Sequence, residues 1–216
     1  MPTTHRKVGL YRLLLLTFIA VPVANYLPFL LADGRAEARF ADDNFTYVQA
    51  AGYAFSIWGI IFIGMILFAW GRLRKNAEPP TEALHRGISC LMVAGLASIA
   101  FVPLSFGDNQ FMIWLDIAVH LIALIIANQS LQKHCRIVER GDSWRWSFFA
   151  PSVYMGWISA AFVISTALML DYIGFNPSNQ VAIALAMILI GTLFFIGRLL
   201  INHQDVIYGL TVAWAL

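Results

Sequence analysis

Charge is scarce in this chain. Of its 216 residues only 12% are Asp, Glu, Lys or Arg, against roughly 25% in a soluble domain of ordinary composition. Cysteine is scarcer still. Cys90 and Cys135 have no convergent His or Asp spacing, so they make no metal site, and both fall on or near the side read below as cytoplasmic, where a disulfide is not expected. Lysine occurs three times, as Lys7, Lys75 and Lys133, always outside the apolar runs. A retinal protein needs an intramembrane lysine for its Schiff base, so residues 1–216 do not fit that class. The sequence also lacks an internal repeat, inverted halves and paired broken helices, the sequence pointers of secondary transporters.

What it has is long apolar stretches, 60% of the residues being hydrophobic. Six runs approach or exceed the roughly 20 residues needed to cross a bilayer: 10–31, 50–70, 87–106, 111–130, 148–170 and 181–201. A seventh begins near Val206 and reaches about half a span by Leu216, so it is expected as a truncated helix. Lipid offers backbone groups no partner outside a helix or a closed barrel. The expected fold is therefore an all-α integral membrane protein, one transmembrane domain over 1–216. The first run resembles a signal peptide in its basic start, but it is long and no small-x-small site closes it. It reads as a retained first helix.

Orientation follows from Lys and Arg alone. Twelve of them fall on the side of the N-terminus and two, Arg35 and Arg39, on the other. The N-terminus is expected in the cytoplasm, in a bacterial inner or plasma membrane. The net charge of +2 thus reports topology and gives no reason to expect a nucleic-acid partner. The outer stretch 32–49 reads as a lid over the helix ends, and 71–86 and 131–145 as solvated cytoplasmic connectors.

Polar and aromatic residues concentrate in the first five runs. Asp116 and His120 are four apart and share a helix face, with Asn128 continuing that stripe. Ionisable groups within a span are expensive and face the bundle interior. They act there either as a pair bonded to a neighbouring helix or as a proton-handling, ligand-polarising pair. At about 1.5 Å per residue, Asp116 lies roughly 9 Å below the outer end of its helix. Asn25, Trp58, Phe101 and Ser165 fall in the outer half of theirs, and Trp157 lies deeper. An aromatic wall with a few polar groups is the usual lining of a small-molecule pocket; the bland alternative is an aromatic packing core.

Three motifs carry a family resemblance. "SIWGIIF", residues 56–62, is similar to the second-helix Trp-Gly-x-Leu-Tyr of the TspO/translocator protein (tryptophan-rich sensory protein) family, with Phe62 in the tyrosine's place. "SIAFVPLSFG", residues 98–107, resembles its third-helix Asn-x-x-Trp-x-Pro-x-Phe-Phe-Gly, with Ser98 for the asparagine and Phe101 for the tryptophan. "PSVYMGWISAAFVIS", residues 151–165, resembles the fifth-helix Pro-Tyr-x-x-Trp and the asparagine beyond it. Tyr154 and Trp157 keep the spacing and Ser165 replaces the asparagine. Asp116 falls within one position of an acid seen in some members.

The resemblance covers about 10–170 and implies a TspO-like five-helix bundle, with 171–216 supplying two further helices, seven in all, as in a longer branch of the family. It implies a pocket for a planar hydrophobic ligand of the porphyrin or haem-like tetrapyrrole type, a covering loop and a homodimer. The ligand-binding candidates are Asn25, Trp58, Phe62, Ser98, Phe101, Asp116, His120, Tyr154, Trp157 and Ser165. Loss of the family's tyrosine and two asparagines removes hydrogen-bonding groups, which puts its ligand preference in doubt here. A receptor or sensor is the leading expectation. A proton-coupled carrier using Asp116 and His120, and an enzyme modifying the bound tetrapyrrole, are the alternatives; no catalytic residue is assigned.

Overall fold

The computed structural model of the chain describes residues 3–31, 52–74, 81–107, 109–138, 149–175, 189, 191 and 205–215. These form α1 (Thr3–Leu31), a short 3-10 turn (Gly52–Ser56), α2 (Ile57–Arg74), α3 (Glu82–Ser105), α4 (Gln110–Val138), α5 (Phe149–Tyr172) and α6 (Val206–Ala215). Five helical stretches are long and apolar enough to cross a membrane, α6 being a shorter apolar helix. The fold is all-α. The expected seventh span begins where the sequence places it. The expected sixth, 181–201, lies outside the described residues apart from Leu189 and Gly191, both helical. The stretch read as a lid, 32–49, also lies outside them.

Local chemistry sets the helix ends. Thr81 caps α3, its hydroxyl accepting from Leu84 N at 3.1 Å, the usual way of satisfying an orphan amide of the first turn. Asn109 Oδ1 accepts from Met112 N at 3.2 Å at the start of α4. Pro151 is the third residue of α5, where a missing N–H costs little. Gly174 ends α5 at φ 78°, with Phe175 N on Leu170 O at 3.0 Å. This αL glycine closes the helix in a Schellman arrangement.

Two sequence expectations are corrected. The stretch 131–145 is not simply a solvated connector: α4 runs on to Val138, with Leu131, His134 and Cys135 fully buried. Likewise α2 continues through Arg74, and Arg72 is buried with its guanidinium 5.2 Å from the Phe68 ring centre. In both cases the polar residues ride on helical turns that extend past the apolar run, and long side chains lay their stems on neighbouring apolar surface.

The five long helices close a ring. Going round it, α1 packs on α2, α2 on α5, α5 on α4, α4 on α3, and α3 back on α1. Small residues permit the close approaches. A methyl on Gly95 would stand 2.6 Å from Thr17 Cγ2 of α1, and one on Gly64 would stand 2.9 Å from Ala150 Cβ of α5. Without a hydrophobic drive between helices in lipid, such packing and polar contacts carry association. Outside the ring, α6 lies against α5. Large apolar side chains such as Leu16, Ile63, Leu96 and Ile122 are exposed, which suits a surface wetted by lipid rather than water.

Candidate functional site

The ring encloses one aromatic side chain that all its helices reach. Tyr154 of α5 has no exposed surface. Its phenol oxygen lies 2.6 Å from His120 Nε2 of α4 and 3.4 Å from the Ala94 carbonyl of α3. Its ring meets Phe18 of α1 edge-on at 6.3 Å and Trp58 of α2 at 6.0 Å. Aromatic pairs of this kind add about 0.5–1.5 kcal/mol each beyond area burial. Interhelical hydrogen bonds in membrane bundles average about 0.6 kcal/mol.

Around Tyr154 the rings continue. Trp58 stacks on Phe62 at 5.2 Å and 23°, and meets Trp157 edge-on at 6.1 Å. Phe62 in turn contacts Tyr26 at 6.0 Å, and Trp157 contacts Phe55 of the 3-10 turn at 5.4 Å. Trp157, Phe62 and His120 are buried, while Trp58 is half-buried. Thus five of the ten sequence-derived candidates, Trp58, Phe62, His120, Tyr154 and Trp157, form one connected group.

The remaining candidates are polar or peripheral to it. Asn25 Nδ2 donates to Val21 O at 2.9 Å and reaches the Ser98 hydroxyl and carbonyl at 3.5 Å, joining α1 to α3. Phe101 is half-buried against the core. Asp116 Oδ2 and Ser165 Oγ are buried without a hydrogen-bond partner among the described residues, and Gln110 Nε2, at the start of α4, shares that condition. Close by, Trp114 Nε1 donates to Thr166 Oγ1 at 3.2 Å, tying α4 to α5.

Asp116 and His120 share a face; His120 Nε2 bonds to Tyr154 of the neighbouring α5, as the packing alternative asks of the pair, while Asp116 Oδ2 has no hydrogen-bond partner among the described residues. A rise of about 6 Å over four residues leaves the carboxylate on its own level, toward the N-terminal end of α4.

The sequence reading passed over Phe18 and Phe55, which no local pattern marks. It also missed a second polar group at the basic end of the bundle. Asp205 Oδ2 accepts from Ser152 Oγ at 2.9 Å, Asn128 Nδ2 at 3.3 Å and Gln132 Nε2 at 3.4 Å. Asp205 Oδ1 caps α6 by accepting from Tyr208 N at 3.1 Å. All four side chains are buried. An acid just before an apolar run is a helix-start signal, and that alone could have marked Asp205.

A closed ring of five helices, each long and apolar enough to cross a bilayer, around an aromatic centre is the architecture of an integral membrane protein. The sequence model of the TSPO-like protein family matches residues 11–216, nearly the whole chain, and the chain belongs to that family. No curated protein and no solved structure matches it.

Proposed function

We propose that the chain is a membrane receptor or sensor that binds a planar hydrophobic ligand of the tetrapyrrole type among helices α1 to α5. One observation carries this reading: the rings of Trp58, Phe62, Tyr154 and Trp157 meet at one place, and the polar atoms Asp116 Oδ2 and Ser165 Oγ lie buried with no hydrogen-bond partner among the described residues. Rings supply stacking surface, and open polar atoms supply orientation, the combination that small-molecule sites use. Asn25, Ser98, Phe101 and His120 complete the proposed lining. The whole chain acts as one domain, with the basic end in the cytoplasm of a bacterial inner membrane, as the partition of Lys and Arg supports. The protein associates as a homodimer.

The test is quenching of tryptophan fluorescence by protoporphyrin IX in detergent. The wild type is expected to quench saturably, and Trp157→Ala and Trp58→Ala to weaken the apparent affinity. Quenching that never saturates, or the same affinity in both variants, removes the reading.

A proton-coupled carrier is the second reading. It asks Asp116 and His120 to exchange a proton, and it has less support because His120 is bonded to Tyr154. Proton-dependent uptake in proteoliposomes that vanishes in Asp116→Asn would restore it.

A further inference from the structure

Helix α6 lies outside the ring yet is fastened to it at three levels. At the basic end Asp205 gathers Ser152, Asn128 and Gln132 from α4 and α5 while capping α6. Midway, α5 and α6 touch backbone to side chain. A methyl on Gly156 would stand 2.7 Å from Thr211 Cβ and 3.0 Å from Tyr208 O, and the Tyr208 hydroxyl donates to Ser159 Oγ at 3.2 Å. At the far end Trp214 Nε1 donates to the Ala54 carbonyl at 3.4 Å, and its ring meets Tyr53 edge-on at 5.4 Å.

The last contact matters for the aromatic centre. Tyr53 and Ala54 belong to the 3-10 turn Gly52–Ser56, and the next residue, Phe55, packs edge-on against Trp157 at 5.4 Å. A five-residue 3-10 turn is weakly held by its own hydrogen bonds, and Tyr53 and Phe55 are both exposed on one side. Something outside the turn must fix it, and Trp214 supplies both a hydrogen bond and a ring contact. Helix α6 is itself anchored along α5. It can brace the turn because α5 and the Asp205 cluster hold it.

We propose that α6 is a buttress for the ligand site, and that Trp214 is a positioning residue: it fixes the 3-10 turn and, through Phe55, the ring of Trp157. Trp214 need touch no ligand. The structural half of this inference stands without any ligand; its effect on affinity rests on the function proposed above.

The experiment separates the two. The protein is labelled with 5-fluorotryptophan in detergent, and the fluorine resonance of Trp157 is assigned by its loss in Trp157→Phe. In Trp214→Ala the Trp157 resonance is expected to shift or broaden, with a smaller change in Trp214→Phe, which keeps a ring but loses the N–H. In Trp70→Ala it is expected to stay in place, since Trp70 sits near the opposite end of α2 under Arg74 at 4.2 Å. A Trp157 resonance that does not move in Trp214→Ala, or that moves as much in Trp70→Ala, overturns the buttress. On the same samples, the dissociation constant for protoporphyrin IX is expected to rise about three- to tenfold in Trp214→Ala, the worth of an aromatic pair. A fluorine shift with unchanged affinity overturns the claim that the buttress serves the ligand. No binding even by the wild type overturns the proposed function, and the fluorine result still decides the buttress.

Discussion

Tyr154 and His120 are hydrogen-bonded across α5 and α4 at 2.6 Å, with both side chains buried. The pair is the polar centre of a ring of helices whose other contacts at that level are largely aromatic. Because Tyr154 also reaches α3 through Ala94 O and touches rings of α1 and α2, it concentrates interhelical packing in one side chain.

Tyr154→Phe keeps the ring and removes the phenol. His120 Nε2 and the Ala94 carbonyl then lose a partner, at a cost of about 1 kcal/mol, within the range measured for interhelical bonds in membrane proteins. Tyr154→Ala also opens a cavity among four helices and is expected to cost about 3–5 kcal/mol, as large-to-small aromatic changes do. Thermal unfolding in detergent should rank wild type, Phe, Ala in falling order. An Ala variant as stable as the Phe variant would mean that the ring packs loosely.

The Asp205 cluster makes a different forecast. Asp205→Ala takes an acceptor from Ser152, Asn128 and Gln132, although Asn128 Nδ2 keeps Ser152 Oγ and Gln132 Nε2 keeps Asn128 Oδ1, and it removes the α6 cap. The loss is expected at about 2–3 kcal/mol, since an orphaned buried donor costs more than its bond was worth. Ser152→Ala removes one donor to Asp205 and one acceptor of Asn128 Nδ2, which keeps its bond to Asp205, and should cost about 1 kcal/mol. In the double variant Ser152→Ala/Asp205→Ala the costs should depart from additivity, because both members share one network. Equilibrium unfolding of the three variants checks this.

The spans were legible because span length is set by bilayer thickness, which leaves its mark directly on hydropathy. Tyr154 and Trp157 were legible too, since a polar-tipped or large ring deep in a span asks for a neighbour. Asp205 was not. Its partners lie 53 to 77 residues away, and their meeting depends on how α6 packs outside the ring, which no local period encodes. The Asp116–His120 spacing put both on one face, but which residue of a neighbouring helix would meet His120, here Tyr154, no local period encodes.

Glycines separate packing from sequence pattern. Gly59 matches the family's second-helix motif, yet a methyl there would meet nothing within 4 Å. Gly59→Ala is therefore expected to leave thermal stability unchanged or to raise it, by up to about 1 kcal/mol from helix propensity. At Gly156 the same methyl would collide with Thr211 and with the backbone at Tyr208. Gly156→Ala should cost about 1–3 kcal/mol, as overpacking does, with the loss centred on α6. Parallel melting curves decide it, and equal behaviour of the two variants would contradict the packing described here.

Asp116 is where stability and binding are expected to part. Its Oδ2 is buried with no hydrogen bond among the described residues, a condition that costs free energy in any folded protein and more within a span. Replacing it by leucine removes that cost and keeps a side chain of similar reach. Asp116→Leu is thus expected to melt higher than the wild type, by about 1–2 kcal/mol given its partial exposure. A carboxylate retained for packing alone would make the substitution destabilising instead. If the open oxygen serves a ligand, the same variant should bind protoporphyrin IX about tenfold less well, the worth of one charge-assisted hydrogen bond. Higher melting with weaker binding is the pattern of a site held at the expense of the fold. Higher melting with unchanged binding would separate Asp116 from the site and leave the aromatic group to carry recognition without it.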